Sequence, residues 1–422
     1  VRGNKRVRRA IDAAIGALSQ SNPDPRVPLA AAERVFRSRG PEAIPALDAQ
    51  LTRETDARIR RAMETARAAA VFASQRADAE KLEVIAVVAR RGDLESRGLL
   101  ASLTGASPAV AEAAVAAIDR RQAIIRIVQA VDYGVSLASV LLPAAIGLAV
   151  TFGTMGVINR AHGEMVMLGA YTTFVVEEVT RQNAPHLFDW SLAFAILLAF
   201  LVSALAGAIV ERTIMRLHYG RPLETLLATF GLSLILQQAV RTIFGPNKRE
   251  VGNPSWLSGA LRVADVLITW KRLWIIVFAA LMLFGLMLVL RRTAFGLAVR
   301  AVTQNRRKAV SMGIGAPWIA RATFALGSGV AGLAGVALRQ IDNVSPTFGQ
   351  SYIIDSLMVV FGRVGNLWGT LVAALSLGIV NKLLETVAGA VLGEIVVLVL
   401  LVLFILRAPR GLLPLKGRAV ES

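Results

Sequence analysis

Gly153-Thr-Met-Gly-Val-Ile-Asn-Arg-Ala-His-Gly-Glu164 closes a run of 25 uncharged residues that begins at Gly134. A run of that length without a charge can span the hydrocarbon core of a bilayer as a helix. Asn159, Arg160, His162 and Glu164 end it, and a second apolar stretch, 165–176, follows at once. Polar groups wedged between two such segments are costly in lipid, so they line a pathway, sit at an interface or pair with one another. The expected fold class is therefore all-α, a polytopic membrane protein, because a membrane-crossing backbone satisfies its own polar groups as helices.

Working outward, uncharged or nearly uncharged runs recur at 190–210, 225–240, 273–290, 322–338, 364–381 and 395–406, which predicts about eight spans in all. The chain is 55% hydrophobic with a formal net charge of +18. Its basic residues from 127 onward fall mainly in the gaps between apolar runs, the pattern of cytoplasmic loops rather than of a nucleic-acid surface. Residues 291–321 carry Arg291, Arg292, Arg300, Arg306, Arg307, Lys308 and Arg321 with no acid. With the 211–221 gap and the tail from Arg407, they are expected inside. Counting crossings back from there puts 241–272 outside, Asn159–Glu164 at the inner end and residues 1–126 outside. The same count makes 351–384 begin and end on the outer side. Its interruption, Phe361-Gly-Arg-Val-Gly-Asn366, reads as the meeting of two half-depth arms or of two short spans.

Residues 1–126 lack long apolar runs. Apolar residues at helical spacing, broken at Pro23–Pro25, Gly40-Pro41, Gly92-Asp93 and Gly105–Pro108, predict a small array of stacked short helices, possible HEAT-like repeats. The domains expected are thus 1–126, extracytoplasmic and helical, and 127–422, transmembrane. The opening Val1–Arg9 is basic, but no apolar signal core follows it. There is no cysteine, and His162, His186 and His218 are too scattered for a metal cluster, so no metal is expected. No Gly-x-x-x-x-Gly-Lys-Ser/Thr loop occurs, so this chain is not expected to hydrolyse ATP or act as an enzyme.

Several stretches in order carry a resemblance: Gly156-Val-Ile-Asn-Arg-Ala-His-Gly-Glu164, Arg221-Pro-Leu-Glu-Thr-Leu-Leu-Ala-Thr229, Gln237-Gln-Ala-Val-Arg-Thr-Ile-Phe-Gly-Pro-Asn247, Arg300-Ala-Val-Thr-Gln-Asn-Arg306, Gln340-Ile-Asp-Asn-Val-Ser-Pro346, Gly349-Gln-Ser-Tyr-Ile-Ile-Asp355, Val364-Gly-Asn-Leu-Trp-Gly-Thr370 and Gly378-Ile-Val-Asn-Lys382. Over roughly 130–418 the chain resembles the permease subunits of the branched-chain amino acid class of ABC importers, and within it the urea branch. Arg160, Arg339 and Arg363 stand where that pattern has uncharged residues. The resemblance implies a multi-pass subunit of the bacterial inner membrane that forms the solute route for urea. It implies a second permease subunit, two ATP-binding subunits and an extracytoplasmic binding protein as partners, with ATP used by those partners and no cofactor here. The alternatives are a branched-chain amino acid permease of the same class, a passive channel, or a membrane anchor for residues 1–126.

Candidate pathway residues are Asn159, His162, Glu164, Asp342, Asn343, Asp355 and Asn366, polar groups set in apolar sequence. Amides such as Asn343 and Asn366 suit the donors and carbonyl of urea, whereas a zwitterion requires paired opposite charges or helix ends. The competing reading makes Asn159–Glu164 a polar turn at the inner interface, with Glu164 capping the next helix. The stretch 300–313 resembles the loop through which such permeases dock on their ATPases. Arg300, Gln304, Asn305, Arg306 and Arg307 with the small residues Ala301 and Ala309, ending at Gly313, suit a short helix with a basic face and a small apolar face. An ordinary positive-inside loop is the plainer reading of the same charges.

Overall fold

The structure, a computed structural model, describes residues 24–74, 78–101, 108–155, 159–218, 221–249, 252, 254–263, 266–350, 352 and 367–407. Its chain divides into two compact units, Val1–Arg126 and Ile127–Ser422.

The first unit contains the short helices α1 (Arg26–Ser38), α2 (Ile44–Leu51), α3 (Ala57–Ala73), α4 (Asp78–Arg91) and α5 (Leu94–Ala101). Their ends are written in the sequence. Arg39 takes a left-handed conformation (φ 55°) after α1, and Gly92 (φ 72°) separates α4 from α5. Asp56 caps α3 by accepting from the Arg58 N–H at 2.7 Å. Ala32, Val35 and Phe36 of α1 meet Leu47, Met63, Ala66, Ala70, Val88 and Leu100 in one core. Arg91 ties the array together: it donates to Glu33 at 3.0 Å and Asp93 at 2.5 Å, and its guanidinium lies 4.0 Å from the Phe36 ring centroid.

The second unit holds the membrane helices. After α6 (Pro108–Met155) come α7 (His162–Asn183), α8 (Ser191–Thr213), α9 (Pro222–Phe244) and α10 (Trp270–Arg292). The short α11 (Ala294–Gln304) and α12 (Arg306–Ser311) precede α13 (Ala316–Leu338), α14 (Leu367–Ala388) and α15 (Ala390–Arg407). Among the described residues six helical segments are long and apolar enough to cross a membrane: Glu112–Gly153, Pro185–Thr213, Leu223–Phe244, Trp270–Arg292, Ala316–Leu338 and Leu367–Ala388. The chain is thus an all-α polytopic membrane protein. The only strands among the described residues are β1 (Ala260–Val263) and β2 (Val266–Thr269), an antiparallel pair in register Ala260 with Thr269.

Two of the eight expected spans fall outside that set. The run 165–176 lies within the 22-residue α7, whose Glu164, Glu177, Glu178 and Arg181 lower its mean hydropathy. The run 395–406 lies in α15, apolar but short. The stretch expected as two arms meeting at 361–366 is also resolved in part. Its second arm, α14, is a continuous helix of 22 residues, about 33 Å at 1.5 Å per residue, and so is no half-depth segment. It turns back at Gly389 (φ 85°) into α15. The 361–366 break itself lies outside the described residues.

α6 and α13 are the buried helices of this unit: 83% and 72% of their apolar windows are buried, against 22–28% for α8, α9, α10 and α14. Small residues make this possible. A Cβ on Gly169 of α7 would collide with the backbone of Gly332, and one on Gly335 with the carbonyl of Val166. Without a hydrophobic force between helices in lipid, such close backbone approach supplies the packing. Contacts between loops define two ends of this unit. At one end Asp189 accepts from Ser255 N–H and Oγ at 2.9 Å, and Arg249 bridges Val344 through the backbone. At the other, Glu211 pairs with Arg321 at 3.4 Å, close to the basic α11–α12 segment.

Candidate functional site

α7 begins inside the helix bundle rather than at its end. Glu164, in its first turn, accepts at Oε1 from Ser233 Oγ and Gln237 Nε2, both at 2.7 Å. Ser233 is the twelfth of the 23 residues of α9. The Met165 carbonyl accepts from Ser203 Oγ at 3.1 Å, and Ser203 is the thirteenth of the 23 residues of α8. His162 Nε2 lies 2.9 Å from the Ala144 carbonyl within the longest apolar segment. The charge count placed Asn159–Glu164 at the inner end. The structure corrects that: the cluster sits at mid-length of the spans beside it, because residues 159–161 form a turn inside the bundle. Counting charges cannot separate a loop at the membrane surface from a broken helix within it.

Asn159, His162 and Glu164 are each 1% exposed. Asn159 Oδ1 accepts from the Ala161 N–H at 3.0 Å, a bond within the turn, whereas Glu164 does not cap α7, its Oε1 being taken by Ser233 and Gln237. These bonds leave much unsatisfied, however. Among the described residues, Asn159 Nδ2, His162 Nδ1 and Glu164 Oε2 have no hydrogen-bond partner. Three orphaned polar atoms at one buried locus in an apolar bundle form a polar locus able to take hydrogen bonds from a solute or water. The N-terminus of α7 adds a partial positive charge beside the Glu164 carboxyl group, so groups of opposite polarity share the site.

A stripe leads to this cluster. Thr225, Thr229, Ser233 and Gln237 recur every four residues along one face of α9, and all four are buried. Thr225 Oγ1 donates to the His218 carbonyl at 3.1 Å near the Glu211–Arg321 end, and Thr229 Oγ1 accepts from the Arg160 N–H at 3.3 Å. Arg160 itself is exposed, its guanidinium 5.1 Å from the Phe230 ring centroid. The sequence reading named none of these four as site residues, although the four-residue spacing in an otherwise apolar segment was a visible signal.

Two further candidates do not join the cluster. Asp342 and Asn343 lie beyond the C-terminus of α13, at the Asp189–Ser255 end. There Asp342 accepts from the Asn343 N–H at 2.8 Å and lies 3.9 Å from Lys248 Nζ. Asp355, Asn366 and Arg363 lie outside the described residues. Arg339, the residue just beyond the last turn of α13, is buried. It pairs with Glu177 of α7, both side chains 0% exposed, and donates to the Gly252 carbonyl at 2.7 Å. No group of three or more potential metal ligands occurs among the described residues.

The basic segment forms a small unit of its own. Thr293 Oγ1 caps α11 through the Gly296 N–H at 3.2 Å, and Asn305 Oδ1 caps α12 through the Lys308 N–H at 3.0 Å. Gly313 (φ 85°) turns the chain into α13. Arg300, Gln304, Asn305, Arg306 and Arg307 are exposed. The expected small apolar face is turned the other way. Ala309 is buried with Val299, Val302 and Ile319, with Ala301 packed against them. Val310 and Met312, 53% and 82% exposed, supply the outward apolar surface instead.

Residues 130–406 match the family described as branched-chain amino acid transport system / permease component. The high-affinity branched-chain amino acid transport system permease protein BraD of Pseudomonas aeruginosa is 28% identical over 288 residues, 66% of this chain and 93% of that protein. Its counterpart LivH of Escherichia coli K12 is 29% identical over 290 residues, with the same 66% and 93% coverage. The probable branched-chain amino acid transport permease protein LivH of Methanocaldococcus jannaschii is 25% identical over 287 residues, 65% of this chain and 89% of that protein. No solved structure matches the chain. These names concern branched-chain amino acids, not urea, so the class expected from the motifs is supported and the urea branch is not. With two thirds of its length matched, and with the apolar helices that such a component requires, the chain belongs to the permease-component family of branched-chain amino acid transport systems.

Proposed function

We propose that this chain is the permease subunit of an ABC-type importer for branched-chain amino acids, with Asn159, His162, Glu164, Ser233 and Gln237 lining the substrate route. The observation that carries this reading is the mid-depth start of α7, with three orphaned polar atoms around it. A zwitterion finds a carboxylate for its ammonium group and a helix N-terminus for its carboxylate, a pairing that neutral urea does not require. The buried polar stripe of α9 continues the route toward the basic end.

In this proposal that end faces the cytoplasm, in line with its charge, and residues 1–126 lie outside. Separate ATP-binding subunits dock on Arg300, Arg306, Arg307, Val310 and Met312. A second permease subunit completes the pathway, and an extracytoplasmic binding protein delivers the substrate. The membrane is the bacterial inner membrane.

The test is uptake of labelled leucine and labelled urea by the chain reconstituted with the partner subunits encoded beside it. ATP-dependent leucine uptake is expected. Urea uptake without leucine uptake overturns the substrate assignment. Labelling of a Ser311→Cys variant solely from outside overturns the orientation.

A further inference from the structure

A groove at the Asp189–Ser255 end of the membrane unit has no part in the route described above. It lies between α8 and α10, a cavity of about 230 Å³ continuous through Ile196 and Trp256 with a second of about 400 Å³. Its lining is sorted by depth. Lys271 stands in the first turn of α10, and Gln340 lies just beyond the last turn of α13, both at the same end of the bundle. Phe278, Leu281 and Ile196 lie further along their helices and form the inner wall. Trp256 and Trp274, ring centroids 5.4 Å apart and edge to face, stand at the mouth, both more than 40% exposed.

Gln340 is 9% exposed, and neither its amide nitrogen nor its amide oxygen has a hydrogen-bond partner among the described residues. A buried primary amide in the lining of an apolar cavity can both donate to and accept from a molecule bound there. Lys271 has no acid within ion-pair distance among the described residues. A cation and an amide at interfacial depth, tryptophans beside them and apolar side chains beneath follow the profile of a bilayer lipid.

We propose that this groove holds one membrane phospholipid, its phosphate on Lys271, an ester carbonyl on the Gln340 amide and an acyl chain against Ile196 and Phe278. The lipid wedges α8 against α10 on the outer surface of the bundle, away from the α7 cluster.

The test is native mass spectrometry of the full chain released from mild detergent, with palmitoyl-oleoyl phosphatidylglycerol added in small excess. The wild-type chain and the K271R variant are expected to retain one phospholipid. K271E is expected to retain it about fivefold less, the effect of one basic side chain on an anionic lipid. I196W, which fills the groove, is expected to lose it also. Lys271 is only half-buried, so K271E keeps the fold and leaves the test decisive should I196W aggregate. Equal retention by wild type and K271E overturns the proposal. So does leucine, rather than the phospholipid, raising the thermal transition of wild type but not of I196W, which makes the groove a solute site.

Discussion

Removing either partner of the Arg339–Glu177 pair is expected to destabilise the membrane unit by about 3–5 kcal/mol, the range for a buried charge left without its counter-charge. The two residues join the end of α13 to the later turns of α7 across 162 positions of sequence, and neither side chain is exposed. The two single variants differ in what they strand. Glu177→Gln leaves an oxygen for Arg339 to donate to and keeps the bond to the Gly252 carbonyl. Arg339→Met strands the carboxylate and also removes that 2.7 Å bond, a further loss of about 1 kcal/mol. R339M is therefore expected to be the more damaging. The pair is itself incompletely satisfied, since Glu177 Oε2 and Arg339 Nε have no partner among the described residues. The double variant E177L/R339M removes both charges and both orphaned atoms, and is expected to recover most of the loss. The assay is thermal unfolding of the full chain in detergent, read by tryptophan fluorescence and analysed as a double-mutant cycle whose single variants are E177L and R339M. Losses that add to within about 0.5 kcal/mol show that the charges do not couple, and refute the reasoning.

At the candidate site, E164Q keeps an oxygen for Ser233 and Gln237 and should fold normally while leucine uptake falls sharply; E164A, which strands both donors, should lose about 1–3 kcal/mol of stability as well. Unimpaired uptake by E164Q makes the carboxylate a purely structural group. On the basic segment, R306E/R307E should weaken co-purification of the ATP-binding subunits, and unchanged co-purification with unchanged transport reduces those charges to membrane orientation. In the first unit, burial alone pushes the Asp93 carboxyl up, but hydrogen bonds from Ser96 and Arg91, with the Arg91 charge, outweigh it and hold it below the ordinary carboxylate range. Its contribution is therefore present above about pH 4 and lost as pH falls through the lowered value, so peptic cleavage within 78–101 should rise on acidification in wild type and depend less on pH in D93N.

The membrane helices were legible because lipid imposes a length and an absence of charge that few other environments impose. The helix ends of the first unit were legible for a local reason: Gly92 permits the left-handed backbone found there and Pro41 fixes its own φ, whatever lies around them. What the sequence concealed was pairing at a distance. Arg339 looks like an anomalous charge until Glu177 is placed against it, and no local rule relates the two. The β1–β2 hairpin escaped for the opposite reason: its strands are four residues each, and Val266–Thr269 runs straight into α10 at Trp270. The depth of Asn159–Glu164 was hidden because the positive-inside rule counts crossings and assigns each polar stretch to a surface. It has no category for a chain that turns within the membrane.

That turn also bears on why the neighbouring helices have the sequences they do. A helix starting at mid-depth leaves its first N–H groups and its polar leader without water. Asn159 meets part of that need by accepting from Ala161, and α9 meets more by carrying a hydroxyl or amide every fourth residue past the break. The close Gly169–Gly332 and Gly335–Val166 contacts hold α13 directly against α7, so little room remains for lipid beside the polar turn. If the turn were only structural, Ser233 and Gln237 would be enough to satisfy it, and an apolar residue in place of His162 would stabilise the bundle. The atoms still unsatisfied after all this accommodation, Asn159 Nδ2, His162 Nδ1 and Glu164 Oε2, favour a site kept polar for what passes through it.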